Sequence, residues 1–351
     1  MLRTETEFTV PEPMPALPPD RSIGVVVVTF NATDVIAGCL DSLVGQSGAE
    51  PLITVIDNQS SDETVATVRC WADAQMRDGK ALPFVEGPPG TIAATGLVLI
   101  HSGANRGFAG GVNLGLAALA AQPGIAHFWV LNPDAFADPD ACGAILRAAT
   151  DVPDYGIIGG RVQYADPPQN IQIDGGTLNR WTGVTGNINL GLPASQATMP
   201  DARRVDFVTG ANLVVSRRFY DRVGPMREDY FLYYEEVDWA MRRGDMALIL
   251  APGFRVFHHA GTAIGSPTLE RIASPFSFWF KYRSRMKFLA RFHPVALPFA
   301  ILYALAKAGQ LMLKGARPQA LALAAAVLGL PAPKSVRDRL SPEAARIAFG
   351  K

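Results

Sequence analysis

The chain has 351 residues, 48% hydrophobic and 18% charged, too apolar for a disordered tail and long enough for one large domain with appendages or two modest ones. Its 32 basic and 32 acidic side chains cancel, which argues against a protein that coats nucleic acid, where a basic excess replaces phosphate counterions. The cancellation conceals a segregation: residues 271–317 hold nine basic residues and no acidic one, leaving 23 basic against 32 acidic elsewhere.

Residues 1–20 lack the apolar core of a signal peptide, and five prolines between Pro11 and Pro19 forbid a regular helix or strand, so a flexible lead-in is expected. Cys39, Cys70 and Cys142 stand far apart with no C-x-x-C pair, which makes a reducing cytoplasm the simpler home. From Ile23 the pattern changes to short β-branched runs. GVVVVTF (24–30), LITVIDN (52–58), LVLIHSG (97–103) and HFWVLNPDA (127–135) each predict a strand. Val35, Cys39, Leu40 and Leu43 at helical spacing, then residues 64–76 and 109–121, predict intervening helices. Apolar strands alternating with helices indicate an α/β fold with a mostly parallel mixed sheet covered on both faces, in which ligands bind where strands end.

The first strand closes on Thr29, Phe30 and Asn31 without G-x-G-x-x-G, and no P-loop occurs, so the common dinucleotide and P-loop fingerprints are missing. The second closes on Asp57 and Asn58, with Ser60, Ser61 and Asp62 following. A carboxylate there can accept from the ring N–H of uracil or thymine; equally, the segment can be a helix cap with an Asx-turn. The third leads into NRGFAGGVNLGL, whose glycines let backbone approach a ligand while Arg106 and the helix start face phosphate, unless it is an ordinary glycine-rich turn. The fourth presents Asn132 and Asp134 around Pro133, a one-carboxylate anchor for Mg²⁺ or Mn²⁺ or simply turn chemistry. Downstream, YFLYYEEVDWAMRRG sets Glu235, Glu236 and Asp238 beside four aromatic rings, which describes a general base over a sugar-binding surface as well as an acidic first helical turn. His258 and His259 close a further strand-like run, where at most one can face a site.

In this order and between residues 24 and 261, VVVVTFN, VIDNQSSDET, NRGFAGGVNLGL, LNPDA, VTGANLVVSRR, FLYYEEVDWAMR and FHHAG resemble the inverting family 2 glycosyltransferases of GT-A fold, in particular bacterial rhamnosyltransferase-like members. The resemblance implies that Thr29, Asn31 and Asp57 line the nucleotide pocket, that Arg106, Gly107 and Asn113 hold its other side, and that Gly210 and Ala211 lie near donor sugar and acceptor. It places Asn132 and Asp134 at the ends of the D-x-D motif, with Asp134 and His258 on Mg²⁺ or Mn²⁺, and makes Glu236 the catalytic base. Asn132 stands where a carboxylate is usual, so the donor diphosphate becomes an essential metal ligand, and Glu236 where aspartate is usual. The implied partners are a nucleotide-diphosphate sugar, best matched by dTDP-rhamnose, and a glycan or lipid-linked acceptor in cell-envelope polysaccharide synthesis. A galactofuranosyl or other hexosyl donor is the alternative. A sugar nucleotidyltransferase would open with a glycine-rich arginine loop where this chain has TFNATDV. A retired nucleotide-sugar-binding scaffold would have lost Asp134 or the acidic cluster, and both are present.

The expected organisation is therefore a lead-in at 1–20, a catalytic domain at 21–270 and a basic, helical, membrane-associating tail at 271–351. In FSFWFKYRSRMKFLARF (276–292), Trp279, Tyr282, Met286 and Leu289 share one helical face and Arg283, Lys287 and Arg291 another, the layout of a helix lying on anionic lipid. VALPFAILYALA (295–306) and ALALAAAVLGL (320–330) are each shorter than the roughly 18 residues of a spanning helix, although residues 294–313 could just cross. A peripheral or monotopic place on the cytoplasmic face of the plasma membrane is expected; a helical cap on the catalytic domain or an oligomer contact is the alternative.

Overall fold

The protein was analysed as a computed structural model that describes residues 21–77, 82–259 and 272–350, so the expected lead-in at 1–20 and Arg271 lie outside the described residues. The four apolar runs form strands β1 (Ile23–Thr29), β2 (Leu52–Asp57), β4 (Leu97–His101) and β5 (His127–Leu131). A further strand, β3 (Phe84–Gly87), lies at the sheet edge, where half-buried residues carry no strong apolar signal. Beyond them come β6 (Ala135–Ala137), β7 (Tyr155–Tyr164), β8 (Ile171–Ile173), β9 (Gly176–Leu178), β10 (Thr185–Asn187), β11 (Asn212–Ser216) and β12 (Ala247–His258). Among the described residues ten strands make one mixed sheet, ordered β3-β4-β2-β1-β5-β11-β7-β12-β6 with β8 on β7, and β9 pairs with β10 separately. The first five strands are mutually parallel, as expected, and β11 runs antiparallel between β5 and β7.

Alternation along β1 divides the core. Val25 and Val27 pack with α1 (Ile36–Val44), α2 (Thr64–Arg77) and α4 (Ala141–Asp151), while Val26 packs with α3 (Gly107–Ala120) on the opposite face. The glycines of NRGFAGGVNLGL serve this second layer: a Cβ on Gly111 would stand 2.6 Å from Val28, and one on Gly115 2.4 Å from Val26. They let α3 lie close on β1, so their main work is helix–sheet packing rather than cradling phosphate.

The segment beyond residue 271 departs most from expectation. After α5 (Arg217–Val223) and α6 (Glu235–Met241), helix α7 (Pro275–Phe292) starts at Ser274, whose hydroxyl accepts from the Ser277 N–H. It does not present its aromatic face to solvent or lipid. Trp279, Tyr282 and Leu289 are buried, and so are Phe276, Phe280 and Phe288, which lie outside that stripe. A helix buried on more than one side, Ser277, Ser284 and Arg285 included, is packed inside the protein rather than laid on a surface. On one side α7 packs on the catalytic body, where Phe280 stacks on Phe231 with ring centroids 5.1 Å apart. On the other it meets α8 (Leu297–Leu313), α9 (Arg317–Val327) and α10 (Lys334–Arg337), and α11 (Pro342–Phe349) brings Phe349 against Trp279. Its basic residues meet the acidic body rather than lipid headgroups: Lys287 donates to the Asp229 carbonyl at 2.6 Å, Arg291 pairs with the Asp229 carboxylate, and Arg285 donates to the Tyr234 hydroxyl at 2.9 Å.

Because Phe280 is fully buried between the two halves, Phe280→Ala should lower the unfolding free energy of the full chain by about 3 kcal/mol or more. Urea denaturation checks this, and a change below about 1 kcal/mol would show that the helix is only loosely appended.

Candidate active site

A cleft of about 460 Å³ opens at the carboxyl ends of the strands, within the range of small-ligand sites. Asn31, Gly107, Asn132, Asp134, Gly210, Ala211, Glu236 and His258, all expected site residues, line it. Thr29, Asp57, Arg106 and Asn113 do not reach its wall. Thr29 is fully buried and its hydroxyl donates to the Ile56 carbonyl at 3.2 Å. The Asp57 carboxylate accepts from the Ser60 N–H at 3.1 Å and lies 3.8 Å from His101. Arg106 turns its Nε to the Ser102 carbonyl at 3.3 Å. Both ends of the Asn113 amide are engaged by Met226 and Glu228, since Nδ2 donates to the Met226 carbonyl at 2.9 Å and Oδ1 accepts from its N–H at 2.9 Å. All four hold neighbouring segments together behind the wall through these bonds.

The cation-binding expectation acquires geometry at the end of β12. His258 Nε2 is 3.0 Å from Asp134 Oδ1 and 3.1 Å from Asn132 Nδ2, and Nδ1 is 2.8 Å from Gln172 Oε1. Nδ1, facing the Gln172 carbonyl oxygen, is a donor, so Nε2 is the nitrogen turned toward Asp134 and Asn132. Nε2 and Asp134 Oδ1 stand 3.0 Å apart, the spacing of adjacent ligands each about 2.1 Å from one divalent ion. The pair therefore fits Mg²⁺ or Mn²⁺. No group of three His, Cys, Asp or Glu side chains gathers among the described residues, so the remaining ligands must come from water and substrate. His259 is exposed, its ring tilted against Phe136 at 5.9 Å, and takes no part. Gln172 was not anticipated: a lone glutamine in strand β8 carries no motif, yet it fixes the tautomer of His258.

The acidic cluster also divides. Asp238 is fully buried and committed to structure, accepting from Tyr230 at 2.9 Å and from Arg242 Nε at 2.7 Å. Glu235 and Glu236 line the cleft. Glu235 is 3% exposed, and its Oε2 has no hydrogen-bond partner among the described residues. Burial, then the charge of Glu236, pushes the Glu235 carboxyl well above the usual range. Burial also raises Glu236, but the ammonium of Lys281 on α7 opposes the rise. Two neighbouring carboxyls cannot both ionise cheaply, and of the two Glu235 is the one pushed well above the usual range, while Lys281 favours the charged form of Glu236. Lys281 is itself pushed down to about 8, first by burial and then by Arg285.

The loop that carries these acids is strained. Phe231, Tyr233 and Tyr234 all have positive φ, at 66°, 66° and 72°. Three non-glycine residues in such backbone persist only where surroundings over-determine them. Here the Phe231 carbonyl accepts from the Phe108 N–H at 2.8 Å, the Tyr233 hydroxyl meets Ser277 Oγ at 2.6 Å, and the Tyr234 hydroxyl donates to the Gly183 carbonyl at 2.6 Å. Gly107, at φ 71°, is required where α3 meets this loop, because a Cβ there would lie 2.1 Å from the Phe231 oxygen.

Comparison with known proteins identifies the family and the fold. The sequence pattern of the family described as Glycosyl transferase family 2 matches residues 24–224. An N-acetylglucosaminyl-diphospho-decaprenol L-rhamnosyltransferase of Mycobacterium tuberculosis is 28% identical over 193 residues, which are 50% of this chain and 63% of the relative. The chain thus matches less than two thirds of that protein's length. The low-salt glycan biosynthesis hexosyltransferase Agl10 of Haloferax volcanii is 27% identical over 145 residues, 41% of this chain and 45% of its own. Among solved structures, the mannosyltransferase PcManGT from Pyrobaculum calidifontis, in complex with GDP-Man and Mn²⁺, superposes with a TM-score of 0.50 at 18% identity, covering 93% of this chain and 81% of the other. The likeness is one of fold, and the fold is the GT-A arrangement.

Replacing Lys281 by Met removes the ammonium that favours ionised Glu236, so the pKa of the carboxyl rises further. If ionised Glu236 is required, the acid limb of the kcat/KM profile should move to higher pH in Lys281→Met, with activity falling most at the acid end. An unmoved limb would show that Glu236 does not govern it.

Proposed function

The chain belongs to glycosyl transferase family 2, and on that footing we propose that it moves L-rhamnose from dTDP-rhamnose to a lipid-linked glycan acceptor with inversion at the anomeric carbon. One observation carries the reading: the Glu236 carboxyl and a metal-competent Asp134–His258 pair open on one cleft, within a chain whose family pattern covers 24–224. The name of the mycobacterial relative supports rhamnose and a prenyl-diphosphate-linked acceptor. That of the haloarchaeal relative supports another hexose as the second reading.

In the proposed reaction Glu236 accepts the proton of the acceptor hydroxyl as its oxygen forms a bond to the anomeric carbon and the bond to the departing nucleoside diphosphate breaks. No enzyme nucleophile is needed. A divalent ion, when held by Asp134 and His258, would supply positive charge against the departing diphosphate. Gln172 holds His258 in the tautomer that task requires, and protonated Glu235 offers a polar group to a sugar hydroxyl at the buried end of the cleft. Asn31 and Gly107 line the side of the cleft where the nucleotide would lie.

A membrane location, on the cytoplasmic face, is the second part of the proposal. It no longer rests on α7. It rests on α8 and the turn that leads into it, where Val295 in the turn and Phe299 and Leu302 in the helix are 76%, 56% and 67% exposed and Trp181 meets Phe299 edge-on at 5.5 Å. Lys307, Lys314 and Arg317 follow in the same stretch. Residues 294–313 form the one described helix long and apolar enough to cross a bilayer, by length and composition. An apolar face beside basic residues suits a monotopic helix bound for a lipid-linked acceptor.

Binding and turnover across a panel of nucleotide sugars, with and without EDTA, test the donor. Glu236→Gln should lower transfer by about 100-fold or more while leaving nucleotide-sugar binding intact. Near-normal turnover of that variant would remove Glu236 from the role of base, and failure to bind any nucleotide sugar would defeat the reading. For the membrane part, vesicles containing anionic lipid should float the native chain, and the double variant Phe299→Glu, Leu302→Glu should lose most of that binding; equal flotation of both would reject α8 as the contact.

A further inference from the structure

The cleft has a wall that the family pattern, which ends at residue 224, does not supply. Phe276 in the first turn of α7, together with Arg339 and Leu340 between α10 and α11, lines the same cavity as Asp134 and Glu236. Arg339 is the single arginine or lysine among the described residues that line it, facing a lining with four carboxylic residues: Asp34, Asp134, Glu235 and Glu236. Its guanidinium lies 4.9 Å over the Phe276 ring, and its Nη1 is 3.5 Å from Ser274 Oγ, the cap of α7. A guanidinium held against an aromatic face is pre-organised, and its planar fork matches phosphate oxygens. The amino end of the 18-residue helix α7 adds positive potential at the same wall. Around these charges the lining is apolar: Phe231, Leu232, Phe276 and Leu340.

We propose that Arg339 and Phe276 form an acceptor subsite that takes the diphosphate of a substrate esterified to a long hydrocarbon chain. The proposal rests on the glycosyltransferase reading and adds to it a named phosphate-binding residue outside the family-matched segment. One cation set among apolar side chains suits an amphiphile whose anionic head must enter while its chain stays on nonpolar surface. A neutral sugar acceptor has hydroxyls for a guanidinium but no anion to pair with it. The donor also carries a diphosphate, for which the metal-competent pair at Asp134 and His258 is the separate partner, so the two sources of diphosphate must be told apart by experiment.

The test uses the full chain in detergent micelles with three probes: farnesyl diphosphate, farnesol, and dTDP with Mn²⁺. The native chain should bind farnesyl diphosphate at least about tenfold more tightly than farnesol. Arg339→Gln should weaken farnesyl diphosphate by about tenfold or more and weaken dTDP with Mn²⁺ far less, with Arg339→Lys in between because it keeps the charge and loses the fork. Three results would overturn the subsite: no preference of the native chain for farnesyl diphosphate over farnesol, an equal loss of dTDP binding in Arg339→Gln, or unchanged farnesyl diphosphate binding in that variant. The first comparison needs no variant and so stands even if the substitutions impair folding. A native chain that binds farnesyl diphosphate but no nucleotide would instead defeat the donor reading.

Discussion

The site depends on one strained turn. Between Tyr230 and Glu235 the backbone enters the left-handed region three times without a glycine, and that path delivers Glu235 and Glu236 to the cleft while Asp238 points back into the fold. Each such residue costs on the order of 1 kcal/mol or more, so the turn has to be held from outside. It is gripped from two directions. On one side the Phe108 N–H and the close approach of Gly107 fasten the Phe231 carbonyl to α3; on the other, Phe280, Ser277 and Arg285 of α7 engage Phe231, Tyr233 and Tyr234. Remove either grip and the carboxylates lose their aim.

This explains why the charge of the chain is segregated. Part of the basic excess of residues 271–317 is the complement of the body it packs on: Lys287 and Arg291 meet Asp229, Arg285 bonds Tyr234, and Lys281 favours the charged form of Glu236. A helix that places its cations in a protein interior needs partners for them, and the carboxylates and phenols of the catalytic body provide these. Helix α7 is thus part of the site rather than an attachment to it. What faces outward is α8, whose apolar residues find no cover among the described residues.

The cleft combines two kinds of chemistry. At the strand ends a carboxylate and an imidazole stand at metal-ligand spacing, with a glutamine behind the imidazole to orient it. Opposite in charge is the wall from α7 and the α10–α11 turn, where one guanidinium lies among apolar side chains. A glycosyl donor and an amphiphilic acceptor make different demands, and the two walls divide them.

Local pattern was enough to reveal the parallel strands and the helices between them, because runs of β-branched residues and polar strand ends follow from nearest neighbours along the chain; that Asn31, Gly107, Asn132, Asp134, Gly210, Ala211, Glu236 and His258 belong to one site was what the family resemblance implied, and all eight line one cleft. The family resemblance rested on those same segments. Pattern could not tell which polar ends turn to the protein: Thr29 and Asn113 bond to Ile56 and Met226, far along the chain, and Asp57 and Arg106 to Ser60 and Ser102 nearby. Nor could it show Gln172 or Arg339, single residues without a motif that matter only through what stands beside them. The amphipathic reading of α7 failed for the same reason. Alternating apolar and basic faces describe a helix on lipid and a helix buried against an acidic, aromatic partner equally well, and only the tertiary contact, by supplying that partner, decides between them.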